Sequence, residues 1–320
     1  MGKFNRLNLP EYDQLPKIKE LDLAYSWDVY GENDEYGTLN NLDDNEVLAA
    51  MVQVKSGERI GLTLPVNAIT PPLYGRQPFN HTLIQDSRNT WDDKLDDFYP
   101  QSSSQWDGFR HIRCREFGFY GGVTQDPTEI GDRLGIQSWA ASGITGRGVL
   151  LDVERYLLEI EPDYDPIVER SISPELLAKV AVAQNVSIKR GDILCIRFGF
   201  TKRYLALHPD EKSAYSQIPG SPPYAGLSAD ESMARTLWNW HVSAVACDNP
   251  GAEVSPGDAK VGNLHRRLLP GLGMVVGELF NFEELSVRCH ELGSWEFLFL
   301  SVPTNIPGGV GSPANAIAIL

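Results

Sequence analysis

The sequence predicts a single mixed α/β domain with a sheet flanked by helices, and two observations carry that expectation. Apolar strand-like runs alternate with helical segments along most of the chain, and several of the connections are long, polar and proline-bearing. Interleaving of this kind is what a sheet covered by helices requires. Polar connections of that length usually serve a pocket or a lid.

Taken in order, Pro10 and Pro16 oppose early helix formation, so residues 1–35 read as an extended arm ahead of a domain spanning 36–320. Residues 36–43 form a turn, and Asp43 or Asp44 caps a helix that Gly57 stops. Residues 59–65 alternate as a strand. Residues 71–100, rich in Pro, Asn and Asp, read as an irregular lid or pocket wall, with His81 either in the pocket or on a surface loop. Residues 143–148 read as a glycine turn feeding a buried strand at 149–153. They do not make a phosphate loop, which follows a strand, opens a helix and carries G-K-[ST].

Ser173 as N-cap and Pro174 at the first helical position open a helix to residue 184. Residues 191–199 then form a buried strand, whose Arg197 either holds a substrate carboxylate or oxyanion or closes a structural ion pair. Residues 204–224 are a second polar connection. A helix around 228–238, strands at 242–247, 274–276 and 296–302, a Gly/Pro turn at 306–313 and an apolar pairing tail complete the chain.

Composition narrows the function. With 28 basic and 43 acidic residues the formal net charge is -15, which disfavours nucleic acid and anionic membrane surfaces and suits a metal or a small neutral substrate. The four cysteines have neither CxxC nor zinc-ribbon spacing and read as reduced core residues. No run approaches a membrane span, no apolar leader opens the sequence, and Arg6 stands where a myristoylation pattern wants Ser or Thr. The expectation is a cytoplasmic protein.

The chemistry concentrates at residues 101–111, QSSSQWDGFRH, which end with Asp107 and His111 four residues apart. A carboxylate and an imidazole can hold a divalent metal or a water, provided Gly108 lets the backbone bend enough to bring them together. D-x-x-x-H alone is a weak signal. Its setting strengthens it, because three serines, Gln101 and Gln105 gather donors and acceptors beside Trp106, as a pocket wall does. The turn at 117–122 would bring Tyr120 close to whatever the cluster binds.

Four further segments, GRGVLLDV at 146–153, GDILCIR at 191–197, LHRRLL at 264–269 followed by Glu278, and GGVGSP at 308–313, occur together with this stretch in one order. As a set they resemble the cyclase or kynurenine-formamidase-like family of metal-dependent hydrolases, over residues 101–320 and more weakly back to about residue 36. The resemblance implies a swivelling β/α/β-type domain, homo-oligomers (dimer or tetramer) and a metal signature similar to H-x-G-T-H-x-D-x-P-x-H. Laid on this chain, its Asp falls on Asp107 and its last His on His111, but Gln101 and Gln105 replace its first two histidines and Phe109 its proline. A longer-chain branch of the family looks to carry S-Q-W-D here.

The resemblance therefore implies at most one divalent metal, zinc or manganese, on Asp107, His111 and Glu278, since a glutamine offers only a weaker carbonyl ligand. It implies His265 as a general base, with Glu278 beside it. His81, Gln105, Trp106 and Tyr120 would bind substrate, and Phe109 and Phe119 would add apolar wall. The leading expectation is a hydrolase that opens an amide, imide or lactone bond of a cyclic or aromatic small molecule. Two others stand beside it: a cyclase, dehydratase or isomerase using the same residues for proton transfer, and a metal-free binding relative.

Overall fold

The most continuously apolar runs of the sequence lie side by side at the middle of one sheet. In the computed structural model, which describes residues 8–320, that sheet has nine strands. They are β1 (Arg59–Gly61), β2 (Gln105–Asp107), β3 (Ile144–Asp152), β4 (Ile193–Arg197), β5 (Ala244–Cys247), β6 (Val275–Glu278), β7 (Glu296–Ser301), β8 (Gly311–Pro313) and β9 (Ala316–Ile319). Their spatial order is β8-β2-β6-β5-β4-β3-β7-β9-β1. The central four, β3 to β6, run parallel and the others join antiparallel. Parallel strands are covered on both faces, which is why their sequences read as unbroken apolar stretches.

The principal helices are α1 (Asp44–Met51), α2 (Val153–Ile160), α3 (Pro174–Ala183), α4 (Glu231–Asn239) and α5 (Glu283–Leu292). Their starts follow the capping chemistry. Asp43 accepts from Asn45 N at 2.7 Å, Ser173 from Leu176 N at 3.3 Å with Pro174 behind it, and Asp230 from Met233 N at 3.1 Å.

Several expectations are corrected. β3 starts at Ile144 rather than after a glycine turn, because Gly146 and Gly148 serve close packing: a Cβ at Gly148 would lie 2.2 Å from Phe297. Residues 71–100 are not wholly irregular, since Asn80–Ser87 and Thr90–Asp96 pair as an exposed hairpin. The connection at 204–224 contains the helix Pro209–Ser216. Of the two readings left open for Arg197, the structural one holds: it lies 2.8 Å from Asp152 and 2.7 Å from Glu283, with Glu154 also in contact.

The part of the expected arm at residues 1–7 lies outside the described residues. From residue 8 the segment packs on its own chain: Tyr12 is buried, its N–H donates to Asn239 at 2.9 Å, and Trp238 donates to the Pro10 carbonyl at 2.8 Å. All four cysteines are free and buried. Among the described residues no helix is long and apolar enough to cross a membrane.

Candidate active site

Strand alternation builds the floor of the site. In β2 successive side chains point to opposite faces, so Gln105 and Asp107 share one face and Trp106 takes the other. β6 lies antiparallel with Glu278 opposite Gln105 and Val276 opposite Asp107, which brings both carboxylates to one side of the sheet. Gln105 Nε2 donates to Glu278 Oε2 and holds that carboxylate in place. Beyond β2 the chain turns through Gly108, where His111 N donates to the Gly108 carbonyl at 3.0 Å. Gly108 is needed here for close approach rather than for an unusual dihedral: a Cβ would meet the Val310 carbonyl oxygen at 2.6 Å.

His265 enters from a short helical turn, Leu264–Arg266, capped by Asn263, whose side chain accepts from Arg266 N at 2.8 Å. Glu253 fixes this turn. It accepts from Asn263 Nδ2 at 2.7 Å and from the His265 N–H at 3.2 Å, and its Oε1 lies 3.2 Å from His265 Nδ1. The other ring nitrogen, Nε2, lies 2.9 Å from Glu278 and 3.6 Å from Asp107. Asp107, His265 and Glu278 thus offer ligand atoms all within 4.8 Å of one another. His111 stands beside them, half-buried, with Nε2 3.7 Å from Asp107 Oδ1.

The charges are strongly coupled. Burial would raise the Asp107 carboxyl, but the charges of His111 and His265 outweigh it and hold Asp107 below its ordinary value. Burial, and then the neighbouring Asp107 charge, push Glu278 up to about 7. Burial alone would lower His265, yet Glu253, Asp107 and Glu278 together hold it well above its ordinary value. Perturbation of three adjacent groups marks a functional site more often than a structural one.

The donor set fits a divalent cation. Both oxygens of Asp107 are buried and lack a hydrogen-bond partner, as does Gln105 Oε1 beside them. Buried carboxylate oxygens are otherwise satisfied, and two acids with an imidazole are ordinary ligands for zinc or manganese. The residues that would hold such an ion are Asp107, His265 and Glu278. His265 therefore joins the two acids where the sequence suggested His111, and its anchored Nδ1 resembles the carboxylate-held histidine of metal sites.

Above this floor opens a pocket of about 350 Å³, whose lining includes Tyr74, Arg76, His111, Tyr224, His265 and Glu278. Other residues predicted for it lie elsewhere. Trp106 faces the core, edge-on to Phe280 and Phe299, and donates to Ser301 Oγ at 2.8 Å, because it alternates with the two residues that face the site. Tyr120 is buried against Phe109 and donates to Asp34 at 3.0 Å; Phe109 and Phe119 are core residues as well. His81 lies on the exposed hairpin, against Asp93, and not in the pocket lining. Gln105 reaches the site through Glu278.

Glu253, Tyr74, Arg76 and Tyr224 were missed. They come from turns whose local sequence has no period, so only the folded chain brings them together.

An α/β sheet with a buried acid–imidazole cluster at the floor of an open pocket defines an enzyme-like site. The sequence pattern of the family described as Cyclase matches residues 60–254, and the chain belongs to that family. A solved structure described as a novel cyclase is 26% identical, with a TM-score of 0.81 over 92% of this chain and 99% of that one. Isatin hydrolase A from Labrenzia aggregata, bound to benzyl benzoate, shares the fold at 15% identity and a TM-score of 0.59, over 86% of this chain and 97% of its own. An isatin hydrolase bound to the product analogue thioisatinate does so at 14% identity and 0.60, over 87% and 99%. No curated protein matches the chain.

Proposed function

We propose that this cyclase-family enzyme is a metal-dependent hydrolase that opens an amide, imide or lactone bond, C–N or C–O, in a cyclic or aromatic small molecule. The observation that carries the reading is Asp107, with both carboxylate oxygens buried and without a hydrogen-bond partner, beside the pocket residues His265 and Glu278. A bound zinc or manganese ion would polarise the scissile carbonyl and acidify a water. Glu253 keeps the His265 ring oriented, Gln105 keeps Glu278 oriented, and His111, at the rim 3.7 Å from Asp107, is the group placed to carry a proton to the leaving group. The fold relation to enzymes named for isatin, an aromatic lactam, supports a ring-opening substrate class.

The test is elemental analysis of chain purified without chelator, with zinc and manganese added in separate arms, followed by assays on lactones, cyclic imides and aryl formamides. About one ion per chain and turnover of one of these classes are the expected results. Uptake should weaken as pH falls through about 7, because Glu278 then holds a proton and His265 is already protonated, so binding must displace both. No uptake of either ion at pH 8 overturns the reading.

A homo-oligomer, dimer or tetramer, belongs to the same proposal, with a cytoplasmic location. The exposed hairpin supports it. Its register, Leu83 opposite Asp93, Gln85 opposite Trp91 and His81 opposite Leu95, sets Leu83, Trp91 and Leu95 on one face, exposed by 63%, 59% and 50%. A two-stranded hairpin is marginal in water, and an apolar face on it calls for a partner surface. Changing Leu83 and Trp91 together to serine should reduce the mass measured by light scattering to that of one chain. A wild-type protein that is monomeric at every working concentration overturns this.

A further inference from the structure

Arg76 is a cation placed beside acids without being paired to one. Its Nη1 donates to the Gln101 carbonyl at 2.7 Å, and its guanidinium lies 5.3 Å from the centre of the Tyr74 ring. Among the described residues it has no ion-pair partner, although it lines the same pocket as Glu278. The arginines buried elsewhere behave differently. Arg147 and Arg197 are each closed by carboxylates, and Arg110 by backbone carbonyls. A guanidinium carries five N–H donors in a planar fork, so one bond to a carbonyl leaves an edge for a ligand.

The residues around it are held in place at a cost. Tyr74 has a φ of 59°, a left-handed conformation that a bulky side chain adopts only when its surroundings fix it. Its hydroxyl lies 2.8 Å from that of Tyr224. Tyr224 in turn needs Gly251, where a Cβ would come within 2.3 Å of its hydroxyl oxygen. Burial raises the Tyr224 phenol well above its ordinary value, so this hydroxyl pair stays protonated and able to donate.

We propose that Arg76, with the Tyr74–Tyr224 hydroxyl pair, forms a subsite for a carboxylate carried by the substrate. This rests on the hydrolase reading for the rest of the molecule, and narrows it to cyclic or aromatic compounds that bear an acid group. A carboxylate entering this pocket meets the acids Glu253 and Glu278 of its lining, and the Arg76 guanidinium on the wall offsets part of that repulsion. Planar carboxylate recognition by a guanidinium edge is directional, which also orients the scissile bond toward the floor.

The test measures binding of benzoate and of its neutral counterpart benzamide by calorimetry, on wild type, Arg76→Gln and Arg76→Lys. Each is measured as purified and after chelation, because a carboxylate also binds metals. Benzoate should weaken about tenfold or more in Arg76→Gln and less in Arg76→Lys, in both preparations, with benzamide unchanged. Unchanged benzoate affinity, equal weakening of both probes, an effect that vanishes on chelation, or no wild-type binding of benzoate would each overturn the subsite. Thermal melts of the variants show that they are folded. Neither metal content nor turnover enters the readout, so failure of the hydrolase reading and failure of the subsite are separate results.

Discussion

Asp107→Asn is expected to reduce bound metal to background and turnover by about a thousandfold, the scale on which loss of Lewis-acid stabilisation of several kcal/mol acts. Asparagine is the demanding replacement because it keeps the shape and one oxygen. What it removes is the charge, and Asp107 is the fully buried acid whose oxygens have no hydrogen-bond partner. The same variant makes a second prediction that needs no metal. In chelated wild-type protein Glu278 titrates near 7, above its ordinary 4.5, chiefly from burial and next from the Asp107 charge. A raised carboxyl pKa means that the folded state binds the proton more tightly, so this group's contribution to stability is lost as pH rises from about 4.5 to about 7. Without the Asp107 charge the Glu278 pKa should move down and that window should narrow. Carboxyl carbon NMR of chelated wild type and Asp107→Asn measures it directly. Metal retained in the variant, or a Glu278 titration that does not move, sinks the assignment of Asp107 to the centre of the site.

The centre of the fold was legible because parallel strands buried on both faces leave a plain trace, four apolar runs of which GDILCIR and VVGE are typical. Asp107, Glu278 and His265 were legible as candidates only through the order of several segments. Which histidine joins the acids was not: D-x-x-x-H spacing brings His111 to 3.7 Å, while Glu253, from an aperiodic turn, is what fixes His265 at 2.9 Å from Glu278. The Trp106 error was avoidable. A strand that turns Gln105 and Asp107 to the Glu278 side of the sheet sends the residue between them to the core. Tyr74, Arg76 and Tyr224 had no local signal, since their convergence depends on a left-handed tyrosine and a glycine far from it in sequence.

Arg197→Ala should be among the most destabilising single changes outside the site. At the carboxyl end of β4 this side chain is 4% exposed and bridges Asp152 of β3, Glu154 at the start of α2 and Glu283 at the start of α5. It joins elements that are far apart in sequence. Taken as a pair, a buried bridge stabilises little, but removing one partner leaves the others charged and desolvated, which costs about 3–5 kcal/mol. Here three acids are stranded beside the buried Asp248, whose carboxyl burial pushes up to about 8 even though the Arg197 charge lowers it. For a chain of this length the loss corresponds to a fall in melting temperature of roughly 5 °C or more. Chemical denaturation of wild type and variant at pH 7.5 measures the penalty. A penalty under about 1 kcal/mol at pH 7.5, the size of an exposed ion pair, would show that solvent and not Arg197 neutralises this end of the sheet.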